Sequence, residues 1–144
     1  MHEALNHSHS GLRWVLLILL VAAIVVSFLN RSKATIEKKQ KLTYLLALVF
    51  SHIQLLIGLA LYFIYSGKVV FSNATMSDSV ARFFTVEHLF GMLGAIVLIT
   101  IGYSKGKKVQ SHSKVFWYYL VALVLIFASI PWPFRAELGV STWF

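Results

Sequence analysis

The chain alternates four long apolar stretches with short polar ones. The first covers about residues 11–30, and from Val15 to Phe28 only Ser27 interrupts it. The others cover about 42–65, 79–103 and 115–130. The first stretch has no polar face, as expected of a helix surrounded by neighbours and lipid together. About 20 residues, rising 1.5 Å each, span a hydrocarbon core of roughly 30 Å. The pattern therefore predicts four membrane-crossing helices. Trp14 opens the first, and Trp117, Tyr118 and Tyr119 open the fourth, where interfacial aromatics belong. Pro131-Trp132-Pro133 ends the fourth, since a proline has no amide hydrogen with which to continue a helix. Ser77 or Asp78 is placed to cap the third. Val69-Val70-Phe71, between the second and third, is too short to cross and is expected at the interface. No internal repeat is present.

Composition agrees with this pattern. Of 144 residues, 58% are hydrophobic and 12% charged, with a mean hydropathy of +0.77. A soluble domain carries about 25% charged residues, so the solvent here is expected to be largely lipid. One domain is expected, spanning 1–144. The formal charge of +8 would suggest nucleic acid in a soluble protein. Here nine of the thirteen Lys and Arg residues lie in the two loops after segments one and three. That is the positive-inside pattern and not a nucleic-acid groove. It predicts an all-α, antiparallel four-helix bundle with both termini outside, periplasmic in a bacterial inner membrane. Residues 1–10 contain no Lys or Arg and are expected to belong to the mature protein. With no cysteine, disulfides, iron–sulfur clusters and covalent haem attachment are excluded.

Candidate chemistry rests on histidines. Glu87 and His88 lie near the start of segment three, and an ionisable residue in a span is a functional candidate by default. Gly91 and Ala95 lie further along the same helix face, leaving a slot where a flat group could lie. His9 abuts segment one, and His52 sits within segment two beside Ser51 and Gln54. His9 with His88 towards the outer side is the first candidate ligand pair, and His52 with His88 its rival. The plainer alternative is that each imidazole only shares hydrogen bonds between helices. Zinc usually takes four protein ligands, or three and water. Haem b needs one or two axial ligands, an apolar slot and cations for its propionates. Arg13 and Arg135, at the outer ends of segments one and four, are candidates for those cations; lipid anchorage competes with that role. Glu87 is expected in an ion pair with Arg13 or Arg82. Gln54, Ser51 and Gly58 are expected to join helices. Asn73-Ala74-Thr75 matches a glycosylation acceptor only weakly. His112 is assigned no role, and no catalytic residue is identified.

Four motifs together resemble a known group. They are His9-Ser10-Gly11-Leu12-Arg13-Trp14, His52-Ile53-Gln54-Leu55-Leu56-Ile57-Gly58, Glu87-His88 and Pro131-Trp132-Pro133-Phe134-Arg135. In order and spacing the chain resembles small bacterial four-helix membrane proteins labelled cytochrome b. More distantly it resembles one half of haem A synthase, whose four-helix halves hold haem between histidines on two parallel helices. The resemblance implies a b-type haem held by His9 and His88, electron transfer or support of a respiratory complex, and other membrane subunits or a homo-oligomer as partners. The alternative is a cofactor-free accessory subunit whose aromatic tail, ending in Trp143 and Phe144, docks a partner. A proton or solute transporter using Glu87 and His88 ranks third, because segment four offers only Ser129 to a polar path.

Overall fold

A computed structural model describes residues 2–65 and 68–138. The described residues are mostly helical and contain no strand. Helix α1 is His2–Leu29. Helix α2 is Lys38–Ala60, continued by a π-helical turn, Leu61–Tyr65. A short α3, Ser79–Arg82, passes through a second π-helical turn, Phe83–Glu87, into α4, His88–Val109. Helix α5 is His112–Ser129, and beyond it lies a 3-10 turn, Ala136–Leu138. Among the described residues, four stretches are long and apolar enough to cross a membrane: Glu3–Leu29, Lys38–Ile64, Ser79–Val109 and His112–Ser129. These are the makings of a multi-pass membrane protein. The Trp143–Phe144 tail lies outside the described residues.

The helices outrun the apolar stretches. Helix α1 begins at His2, not near residue 11, so His9 lies inside it and not before it. Ser8 donates to the Ala4 carbonyl at 2.7 Å, so the polar start satisfies itself within the helix. Likewise α4 runs on to Val109, through Lys105, Lys107 and Lys108. Lysine is a good helix former, so hydropathy marks the lipid boundary and not the helix boundary. Asp78 is the cap of α3, accepting from the Ala81 amide at 2.7 Å. Gln110 ends α4 in the left-handed region at φ 51°.

Each spanning helix packs on two others: α1 on α2 and α5, and α4 on α2 and α5. Small residues permit the close approach, as in membrane bundles generally. Ala23, Ala47, Ala95 and Ala122 are fully buried among Leu20, Tyr44, Ile99 and Tyr119. A β-carbon at Gly106 would overlap Val115, so glycine is required where α4 meets α5.

Contacts join the helices at both ends. At one end, the start of α5 meets the start of α2 and the loop before it. His112 Nε2 donates to the Thr35 carbonyl at 3.0 Å, and the Tyr44 hydroxyl lies 2.7 Å from His112 Nδ1. Phe28 near the end of α1 touches Phe116, with ring centroids 5.4 Å apart. At the opposite end, the starts of α1 and α4 meet the ends of α2 and α5, and there the candidate histidines lie.

Candidate functional site

The π-helical turn Phe83–Glu87 sets the orientation of His88. A π turn holds an extra residue and so rotates the helix beyond it. The widened turn also leaves the Thr85 carbonyl to accept from the Tyr62 hydroxyl at 2.9 Å. Thr85 Oγ1 accepts from the Val70 amide at 3.0 Å, strapping the loop that contains Val69-Val70-Phe71 onto the helix. Thr75 is buried in the same strap, its hydroxyl donating to the Val70 carbonyl at 2.6 Å. Glu87, last in the turn, faces outward and pairs with Arg82 at 2.7 Å, so of the two expected partners it is Arg82. The next residue, His88, faces inward.

The acceptor that holds His88 comes from the proline motif. Ile130 before Pro131 is extended, with ψ 134°, as residues before proline are driven to be. In a continuing helix the Phe127 and Ser129 carbonyls would accept from residues 131 and 133, and both are prolines without an amide hydrogen. Each carbonyl finds another donor. The Trp132 indole donates to Phe127 at 2.9 Å. His88 Nδ1 donates to Ser129 at 2.7 Å. A carbonyl only accepts, so the hydrogen is on Nδ1 and Nε2 carries a lone pair. Metal-ligating histidines are commonly held through such a carbonyl on the other ring nitrogen.

His9 reaches the same place from α1. Its ring and that of His88 have centroids 6.3 Å apart and planes inclined by 71°. The contact crosses the bundle between α1 and α4. Gln54 Nε2 donates to the His9 carbonyl at 2.8 Å. The imidazole edge of His9 lies over Gly58, and a β-carbon there would be 3.0 Å from Cε1. Gln54 and Gly58 therefore join α2 to α1, as expected, and they also seat His9. Nδ1 of His9 is buried and makes no hydrogen bond.

The remaining candidate residues divide between this cluster and the periphery. Arg13, one turn after His9, lies with its guanidinium over the Trp14 ring at 5.3 Å. Arg135 pairs with Glu137 at 3.1 Å and lies over Phe83 at 4.8 Å. Phe83 in turn covers His88, with ring centroids 6.0 Å apart. Gly91 faces α5 and not an open slot: a β-carbon there would overlap the Ser129 hydroxyl. Its missing side chain lets Ser129 approach His88. His52 is exposed, and its Nδ1 donates to Leu48 within its own helix at 2.8 Å. It does not join His9 and His88 in a three-ligand site, for among the described residues no three His, Cys, Asp or Glu could hold one metal ion.

No family model, curated protein or solved structure matches the chain.

The spacing of the two rings bears on whether a metal group fits. A metal–imidazole bond is about 2.0–2.1 Å and its nitrogen lies about 1.2 Å from the ring centroid, so two imidazoles flanking one ion have centroids roughly 6.3 Å apart. The His9–His88 centroid spacing equals that value, while the Cε1 edge of His9 is turned towards Gly58. Zinc lacks its third and fourth ligands among the described residues. Haem brings its own equatorial nitrogens and asks the protein for two axial ones at most. The orphaned nitrogen of His9 and the lone pair on His88 suit that donor set.

Sequence reasoning missed Ser129 and His112. A serine carbonyl orphaned four residues before a proline is legible once the prolines are read for the acceptors they free. His112 is fully buried and bonded on both ring nitrogens, which nothing in its polar surroundings indicates.

Proposed function

We propose that this protein binds b-type haem between His9 and His88 and transfers electrons in, or supports, a respiratory assembly of a bacterial inner membrane. The observation that carries the reading is the pair of imidazoles 6.3 Å apart, one held by Ser129 and one seated on Gly58. The resemblance to the cytochrome b-labelled proteins supports it. His9 and His88 would serve as axial ligands, Phe83 and the bundle core as the apolar wall, and Arg13 and Arg135 as partners for the propionates. These residues would hold the group, which when bound would supply one-electron chemistry, and the charge and dielectric they set around it would tune its potential. The bundle is antiparallel in this reading, with both termini outside. The contacts that bring the starts of α1 and α4 to the ends of α2 and α5 support that arrangement, and the basic loops support the orientation.

A second reading is a cofactor-free accessory subunit. It draws on the same two histidines, because His88 to Ser129 and Gln54 to the His9 carbonyl are also plain inter-helix bonds. The visible spectrum of the detergent-purified protein separates the two. A sharp Soret band with reducible α and β bands is expected. A colourless, fully helical preparation that takes up no added haem would overturn the haem reading and favour the accessory subunit.

A further inference from the structure

We propose that the end of the bundle opposite His9 and His88 is a binding surface for anionic phospholipid headgroups. All of the formal net charge is there. Residues 30–41 and 104–114 hold nine Lys and Arg against Glu37 alone, whereas the rest of the chain balances four cations with four acids. The one acid lies 4.0 Å from Lys33, on an exposed pair that leaves the surrounding field positive.

The two loops act as one surface. The Ile36 amide donates to Gln110 Oε1 at 2.9 Å, and His112 Nε2 donates to the Thr35 carbonyl at 3.0 Å. These bonds fix the loop after α1 against the α4–α5 turn, so the cations of both are presented together.

Aromatic rings decide which polyanion fits. Arg31 lies over Phe28 at 4.3 Å, Lys105 over Tyr118 and Lys107 over Tyr103, each at 5.7 Å. Lys105 also donates to the Tyr118 hydroxyl at 3.3 Å. These rings belong to the spanning helices, at the level where aromatic belts meet headgroups. The cations standing on them are held beside the hydrocarbon edge, not projected into water towards a nucleic acid or a soluble protein. Phosphodiester headgroups occupy that level, and clustered Lys and Arg next to a span attract them. The surface is independent of haem and of which side of the membrane it faces.

Native mass spectrometry of protein released from nanodiscs of equal phosphatidylglycerol and phosphatidylcholine tests this. The wild type should retain phosphatidylglycerol about tenfold over phosphatidylcholine. Lys105→Gln, Lys107→Gln, Lys108→Gln and Lys114→Gln together should reduce the preference to about twofold or less, while the same four changed to Arg should keep it. Lys68→Gln with Arg82→Gln, at the other end, should leave it unchanged. Equal retention of both lipids by the wild type overturns the proposal. So does a preference lost equally in the Lys68/Arg82 variant, or displacement of the lipid by millimolar inorganic phosphate, which would mark a general phosphate site. Should the Gln variant fail to fold, raising salt on the wild type is the second arm: a preference that survives high salt contradicts the electrostatic basis.

Discussion

His88 illustrates how much one residue depends on its supports. Its ring is fixed by a carbonyl on α5, covered by Phe83 and faced by His9 from α1. On the proposed reading, His88→Ala and His9→Ala each strip an axial ligand, so absorption spectra should show lost haem or six-coordinate iron turned five-coordinate. His52→Ala should leave the spectrum intact, because that ring is exposed and bonded within its own helix. A spectral change with His52→Ala and none with His9→Ala would exchange the ligand assignments. Gly91 makes a separate prediction that needs no cofactor. Gly91→Val drives side-chain atoms into Ser129, and overpacking of this kind costs about 1–3 kcal/mol. Thermal unfolding in detergent should record a lower midpoint; an unchanged one would mean that α5 gives way at little cost.

At the scale of elements, the end of α5 and the π turn before α4 do the positioning. Pro131 forces Ile130 out of the helix and withholds an amide from Phe127. Pro131→Ala restores that donor and relieves Ile130, so α5 should extend and Trp132 lose its bond to Phe127. A red-shifted, more solvent-sensitive Trp132 fluorescence in a variant with the other tryptophans changed to Phe would report the release, and an unaltered emission would contradict it. Sequence made the four spans legible because twenty apolar residues have one stable form in lipid. It did not reveal the helical polar ends, since lysine and serine extend a helix as readily in the interface as apolar residues do below it. Nor did it reveal that Gly91 opens towards Ser129. A glycine face reads as a slot along one helix, and only the packing of a second helix decides what fills it. The proximity of His9 to His88 was legible as one of two options, and the exposed, intrahelically bonded state of His52 followed only from the phase of α2, fixed by Gln54 and Gly58 gripping α1.

For the whole molecule, charge and contacts make one prediction about orientation. On the proposed reading, nine cations at one end should place that end in the cytoplasm and the histidine pair towards the outside. Reporters active only in the cytoplasm should be silent at either terminus and active when inserted between residues 104 and 114. An active reporter at the C-terminus would reverse the bundle and put the histidines on the inner side. The central claim, that two imidazoles from α1 and α4 hold one haem, is most directly tested by electron paramagnetic resonance of the oxidised, detergent-purified protein. Rings inclined by 71° should give the strongly anisotropic low-spin ferric signal of steeply crossed axial imidazoles. A high-spin signal from iron with a single histidine, or a folded protein with no ferric haem signal after haem is supplied, would contradict it.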